Sequence, residues 1–360
     1  MKYIAQMEPW IGKEEEKEIL SVLKSGWITE NKKTAELEDI LGKFVGSRFC
    51  HMLPNGTATL FTALKVLGIG KGDEVIVPDF TMVACPNSIV LSGATPVFVD
   101  INKEDLCLDL DDVEKKITKK TKAIMPVALN GRTYDIKKLL KIAKRHKLFV
   151  IEDVAQGLGC YYNGKHLGTF GNIGSFSFST PKVITTAQGG ALVTNNRKLS
   201  DRIIRMKDFG RIDRSSQNHD EIGFNFKFND ILSAIGVAQM KKLHSRLKRK
   251  KEMYKLYKKE LSGIKQISFI DTDLSQTSPW FIDIIIPDPL KLKSYLKTQG
   301  IGSREFYPAI HTTKPYRGSG KFPNSLWASK HGLWLPSSTF LTNSDIIGVC
   351  SVVKRFYEKN

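Results

Sequence analysis

The chain lacks any uncharged apolar run long enough to span a bilayer, which speaks against a helical membrane protein. Its opening, MKYIAQMEPWIGKEEEKEIL, has no basic segment followed by a continuous apolar stretch, so a secretory signal is not expected. Cysteine is scarce: Cys50, Cys85, Cys107, Cys160 and Cys350 are odd in number, scattered and without CxxC spacing. That pattern argues against a disulfide framework or a structural metal, and it fits reduced thiols in a cytoplasm. No internal repeat, low-complexity tract or Pro/Gly/Ser-rich linker stands out, so closely packed domains are expected. Acidic residues are in deficit, 37 against 55 Lys and Arg, for a net charge of +18. Such an excess raises the question of nucleic acid. Much of it, however, lies in KKLHSRLKRKKEMYKLYKKE, residues 241–260, where Met240, Leu243, Leu247, Tyr254 and Tyr257 recur at helical spacing. This is the pattern of a packed helix with a solvated, lysine-rich outer face, and no RNA-binding or zinc-finger signature accompanies it. Neither a nucleic acid nor a membrane partner is expected, while a polyanionic small substrate such as a nucleotide is compatible with the charge.

What is present is the alternation of an α/β protein. A chain of 360 residues with 41% apolar content can bury a large and a small domain. DEVIVP (73–78), TPVFVD (95–100), TKAIMPVAL (121–129) and LFVIEDV (148–154) read as strands. TMVACPNSIVLSGA, ending at Gly93, and DIKKLLKIAKRHK (135–147) read as helices between them. Strands buried on both faces and separated by amphipathic helices predict a largely parallel sheet, with ligands beyond the strands' carboxyl ends. Two β-patterned pieces follow, Ser175–Phe178 and Ala191–Thr194, with Lys182 between them. After the basic helix, SPWFIDIIIPDP (278–289) and LKLKSYLKTQG read as a strand and a helix of a smaller α+β domain that starts near residue 245.

Three local features carry chemistry. Asn55-Gly56-Thr57 precede a helical pattern, which makes either an anion site at a helix N-terminus or an ordinary helix cap. Asp153 emerges from a buried apolar strand and needs a partner, either an arginine or the protonated ring nitrogen of a cofactor. Lys182 stands alone among small, hydroxylated and apolar residues in GSFSFSTPKVITTAQGG. It either snorkels to water or, with its ammonium form disfavoured by burial, forms an imine with an aldehyde. Together, a phosphate cradle, a ring-nitrogen partner and an imine-forming amine are what pyridoxal 5'-phosphate (PLP) requires.

These stretches belong to a longer ordered series: SGWIT (25–29), NGTATL, GDEVIVPDFT, GATPVFVDI, TKAIMPV, IEDVAQGLG, GKHLGTFGNIGSFSFSTPKVITTAQGGALVTN, GFNFKFNDILSAIGVAQ (223–239) and REFYPAIHTTKPY (304–316). Across nearly the whole chain the series resembles the DegT/DnrJ/StrS family of fold-type I, PLP-dependent sugar-nucleotide aminotransferases. The resemblance implies a large PLP-binding α/β domain, residues 1–244, with a mostly parallel central sheet flanked by helices, and a smaller C-terminal α+β domain, residues 245–360. It implies that Lys182 forms the Schiff base and moves the proton between cofactor and substrate. Asp153 would hold the pyridinium nitrogen and Gln156 the phenolic oxygen, while Gly56, Thr57 and Ser177 would bind the phosphate. Asn225 would reach the phosphate across a dimer interface, so the active unit would be a homodimer with shared sites. Trp27, Tyr307 and His311 would lie near the sugar.

Several positions depart from the family pattern. Met82 stands where many relatives carry an aromatic residue, so either its thioether packs on the ring or Phe80 substitutes. ALNGR places Asn130 and Arg132 after the third strand, which unsettles the sugar-side contacts, and Gln188 replaces a common acidic residue. Arg211, Arg214 and Arg304 are candidates for a diphosphate. The presence of Lys182 argues against the branch that carries His there and dehydrates C3. The implied reaction is a ping-pong transamination from L-glutamate to a nucleotide-linked 4-keto-6-deoxyhexose, as in perosamine-synthase-like members. Amination at C3 and a PLP-binding sensor are the alternatives.

Overall fold

The computed structural model describes residues 3–358 apart from 214, 216 and 319. The apolar runs form β1 (Phe49–Leu53), β2 (Glu74–Pro78), β3 (Thr95–Val99), β4 (Thr121–Ile124) and β5 (Phe149–Asp153). A small ribbon, β6 (Tyr161–Tyr162) and β7 (Lys165–His166), separates these from β8 (Ile173–Ser177) and β9 (Gly190–Thr194). Seven strands join in the order β1-β9-β8-β5-β4-β2-β3. Only β9 runs against the others. The carboxyl ends of the remaining strands therefore meet at one edge, bringing together residues 54–56, Asp79, Asp153 and Ser177. The segment between β8 and β9 must turn at that same edge, and Lys182 lies on it.

Helices α1 (Lys13–Ser25), α2 (Lys32–Val45), α3 (Gly56–Val66), α4 (Ala84–Ser92), α5 (Leu110–Lys115), α6 (Ile136–His146) and α7 (Arg197–Lys207) flank the sheet. Each begins where local chemistry allows it; Asp135, for example, caps α6 by accepting from the Lys138 N–H at 2.9 Å. The buried stripe of α6 is Ile136, Leu139, Ile142 and Ala143, recurring at helical spacing. The run 121–129 is shorter as a strand than its composition suggests. Pro126 lacks an N–H, and beyond it only Val127 bridges to Asp153 before a turn at Leu129–Gly131.

The basic helix α8 (Asp230–Leu261) spans 32 residues, and residue 245 lies inside it. Beyond it come β10 (Ile282–Ile285), α9 (Pro289–Thr298), β11 (Arg304–Glu305), α10 (Pro323–His331), β12 (Gly332–Leu335) and α11 (Asn343–Glu358). Their three strands form an antiparallel sheet in the order β10-β12-β11. The arm of Arg132 bonds Asp283 of β10 at 2.7 Å, with both side chains buried, and so ties the two sheets together. Arg132 is thus turned inward and is no sugar contact. Removing one partner of such a pair costs about 3–5 kcal/mol, because the other is left charged and unpaired.

Met240, Leu243, Leu247, Tyr254 and Tyr257 form the inner face of α8 as expected, but that face is not purely apolar. Arg246 and Lys250, one turn apart, are also buried. Both point into backbone carbonyls: Lys250 Nζ donates to Trp280 O at 2.7 Å and to Ser337 O. Burial, with Arg246 adding to it, lowers the Lys250 amine to about 7. In the unfolded chain it returns to its ordinary value of 10.5. Between those values the unfolded state holds the extra proton, so stability rises with pH across this window. Urea midpoints measured at about pH 7 and about pH 9 should show that rise, and Lys250→Met should flatten part of it.

Candidate active site

The site begins where β1 meets α3. Asn55 caps the helix, its Oδ1 accepting from the Ala58 N–H at 2.9 Å. That bond occupies one early N–H and leaves those of Gly56 and Thr57 free of helical partners. Ser177 faces the same turn: a Cβ placed on Gly56 would stand 3.0 Å from Ser177 Cβ and 3.3 Å from its Oγ. On the other side, a Cβ on Gly190 would stand 2.7 Å from the Asn55 carbonyl. Two glycines thus let three backbones converge on a cradle of N–H and O–H donors, with the positive end of the α3 dipole behind it. A cleft of about 760 Å³ opens outward from this turn, lined by Asn55, Thr57, Phe61, Gln188, Phe224 and Phe226.

Lys182 shares a narrow pocket with Gln156, Ser177 and Trp280. The residue is partly exposed along its length, yet its amine is enclosed by protein. Burial lowers that amine from 10.5 to about 8; the charge of Asp153 resists the shift and that of Arg304 assists it. An amine of this basicity is neutral in a useful fraction near pH 7 to 8, as nucleophilic attack and proton transfer both require.

Asp153 ends β5 and is buried. Its Oδ2 accepts from the Cys85 thiol at 2.9 Å and its Oδ1 from the Ala155 N–H at 2.9 Å. Burial raises this carboxyl, and the two donors and the Lys182 charge hold it back. Each oxygen keeps a lone pair, so the group can still serve a cationic N–H. Gln156 has its Oε1 occupied by the Asn130 N–H at 2.7 Å, which leaves its NH2 to face outward as a donor. Asn130 itself, at φ 54°, brackets the Phe281 backbone, donating to its O at 2.9 Å and accepting from its N at 2.7 Å. The ALNGR departure is therefore an internal brace rather than a sugar contact.

The remaining expected residues divide. Tyr307 is buried against Trp334, its hydroxyl pushed up by burial and further by Asp153 and Cys85, while Arg304 opposes. The Arg304 guanidinium lies 5.8 Å from the Tyr307 ring, at the surface. His311 Nδ1 pairs with Asp79 Oδ2 at 2.6 Å, beyond the end of β2. Burial raises the Asp79 carboxyl to about 6 against the pull of His311. Phe80 is 1% exposed and packs on Phe306, whereas Met82 is 45% exposed, so only Met82 has free surface to offer a ring. Trp27 is 66% exposed in the loop that Asp230 anchors, and it is not drawn into the pocket. Asn225 is exposed between Phe224 and Phe226, which stack at 4.9 Å and meet Phe61. Alternation along an extended segment turns Asn225 away from this chain's own cleft. Arg211 is bound to Asp208 at 2.6 Å, and Arg214 lies outside the described residues.

Cys85, Asp79, Asn130 and Trp280 were not assigned site roles from the sequence. Asp79 could have been found as a polar residue at a strand's carboxyl end. Nothing local marks Trp280, whose Nε1 reaches the Pro181 carbonyl across 99 positions of chain.

The residues present fit PLP: the cradle that a Gly56 Cβ would crowd, the buried carboxylate of Asp153 and the enclosed, less basic amine of Lys182 match its phosphate, ring nitrogen and aldehyde. Fold and site together define a PLP-dependent aminotransferase of fold-type I. The chain belongs to the DegT/DnrJ/EryC1/StrS aminotransferase family, which it matches over residues 9–354. It is 36% identical to a GDP-perosamine synthase of Escherichia coli O157:H7, covering 99% of both chains. Identity to the GDP-perosamine synthase of Vibrio cholerae is 34%, over 97% of this chain and 98% of that one. Among solved structures it is similar to Helicobacter pylori PseC, an aminotransferase involved in the biosynthesis of pseudoaminic acid. That likeness has a TM-score of 0.94 at 27% identity and covers 100% of each chain. As a sugar aminotransferase it acts on a nucleotide sugar with a glutamate-type amino donor.

Proposed function

We propose that this chain moves the amino group of L-glutamate to C4 of a nucleotide-linked 4-keto-6-deoxyhexose, and that the sugar is the 4-keto precursor of GDP-perosamine. The observation that carries the chemistry is Lys182, an enclosed amine lowered to about 8 at the carboxyl edge of the sheet. The full-length likeness to two GDP-perosamine synthases supports the choice of sugar and nucleotide. Bound PLP supplies an electron sink and carries the amino group between the two half-reactions.

The chain's own residues do the rest. The N–H groups of Gly56 and Thr57, with the hydroxyls of Thr57 and Ser177, fix the phosphate. Asp153 offers a buried anion to a protonated ring nitrogen, and the Gln156 NH2 donates to the phenolic oxygen. Lys182 would attach through its neutral amine to the aldehyde carbon with loss of water, and once released it would take and return a proton at Nζ. Met82, with free surface beside α4, covers the ring. Tyr307 and His311, the latter oriented by Asp79, would face the sugar, while the exposed Trp27 would reach it only from outside this pocket. Of the described candidates for the diphosphate, the surface Arg304 is favoured, since Arg211 is already paired with Asp208.

The active unit in this reading is a homodimer, with Asn225 serving the phosphate of the neighbouring copy; its outward turn between two inward aromatics supports this. The division at residues 244 and 245 assigns the cofactor to the larger part. A cytoplasmic setting agrees with five buried, unbridged cysteines and with the lack, among described residues, of any helix long and apolar enough to cross a membrane. The test is to incubate the PLP-loaded protein with L-glutamate and the keto precursor and to locate the new amine by NMR. Amination at C4 is expected. Amination at C3, or a bound-cofactor spectrum that glutamate leaves unchanged, would overturn the reading.

A further inference from the structure

Trp280, two residues before β10, is held against Lys182 from several sides. Its ring centroid lies 4.1 Å from Lys182 Nζ. Its Nε1–H donates at 2.7 Å to the carbonyl of Pro181, the residue before Lys182. Its own carbonyl accepts from Lys250 at 2.7 Å. One turn earlier on α8, Arg246 Nη1 donates at 3.2 Å to the carbonyl of Val183, the residue after Lys182. Phe281 stacks on the indole at 3.8 Å and is itself bracketed by Asn130. Neither of these buried basic side chains of α8 is used by the chemistry; each gives one of its hydrogen bonds to a carbonyl that frames this contact.

We propose that Trp280 is a positioning residue for Lys182: its indole face holds the ε-ammonium whenever the amine is not bonded to the cofactor. In the same proposal, Arg246 and Lys250 fix the two walls of that dock through Val183 and Trp280. This rests on the reading of Lys182 as the imine-forming lysine. During a cycle the amine must be neutral to form its bond and cationic to return a proton. Burial favours the neutral form, Asp153 of β5, which accepts from the Cys85 thiol of α4, favours the cation, and Arg304 of β11 opposes it. An aromatic face adds an attraction that selects for charge and direction, which a merely apolar wall lacks. The released ammonium therefore stays in one place instead of searching rotamers.

Fluorination drains the negative face of an indole while keeping its shape and its N–H. The apoprotein, with its five tryptophans replaced in turn by mono-, di- and trifluorinated tryptophan, is treated with an amine-acylating reagent across a pH series. Mass spectrometry of the Lys182 peptide gives the pH midpoint of its amine. The midpoint is expected to fall stepwise, by roughly half to one pH unit over the series. The same series in Trp280→Phe should show no stepwise fall. A midpoint indifferent to fluorination would mean that Trp280 only excludes water, and a fall that persists in Trp280→Phe would assign the effect to other tryptophans; either overturns the proposal. Failure of the underlying reading is seen separately, as a PLP-loaded protein whose reduction leaves Lys182 unlabelled.

Discussion

Lys182→Ala is expected to lose transamination by about a thousandfold or more in kcat, since one side chain supplies both the covalent attachment and the proton transfer. The loss should come without loss of fold. The loop carrying Lys182 is held by backbone groups, the Pro181 carbonyl on Trp280 and the Val183 carbonyl on Arg246, and neither contact involves the lysine side chain. Removing an enclosed amine also relieves the burial that depresses it. Circular dichroism and thermal midpoint should therefore stay close to those of the parent, while single-turnover formation of 2-oxoglutarate from glutamate collapses. Lys182→Arg should fare no better, because a guanidinium stays charged where a neutral amine is needed. A Lys182→Ala protein within tenfold of the parent would remove the lysine from the chemistry.

Asp153→Asn is the second large effect. The carboxylate accepts from Cys85 and from the Ala155 N–H, so an amide placed there must turn its NH2 against one of those donors. It also removes the only charge that would face the ring nitrogen from β5. A loss of about a hundredfold to a thousandfold in the glutamate half-reaction is expected, the scale of removing one preorganised electrostatic partner. PLP should still bind, because the cradle of Gly56, Thr57 and Ser177 is built on other elements. Stopped-flow absorbance with glutamate separates the two steps. Cys85→Ala, which spares the carboxylate and removes one donor, should fall well short of that loss. If Asp153→Asn matched the parent in the half-reaction, Asp153 would be a structural carboxylate only.

The central architecture was legible because its signals are local. The β-patterned stretches 73–78, 148–154 and 175–178 end within a residue of the strand ends at Pro78, Asp153 and Ser177, and the edge rule for parallel sheets gathers those ends into one place. Gly56 and Gly190 were visible as residues, but their reason, the approach of β9 and Ser177 to the Asn55 turn, appears only in three dimensions. The long basic helix carries the apolar stripe and the solvated lysines expected of it, with two exceptions. Arg246 and Lys250 share the inner face because carbonyls of distant segments meet them there, and no periodicity encodes that. Trp280 is the same case, a ring whose partner is fixed by the docking of one sheet on another. Between Met82 and Phe80 the sequence left a choice on which burial bears, since Phe80 is packed into the core and Met82 is exposed.

The most direct test is chemical. The PLP-loaded protein is reduced with sodium borohydride, digested, and mapped for the phosphopyridoxyl group. The account requires the label on Lys182, with the bound-cofactor absorbance lost on prior addition of glutamate. A label on any other lysine, or a protein that takes up no PLP, would contradict it.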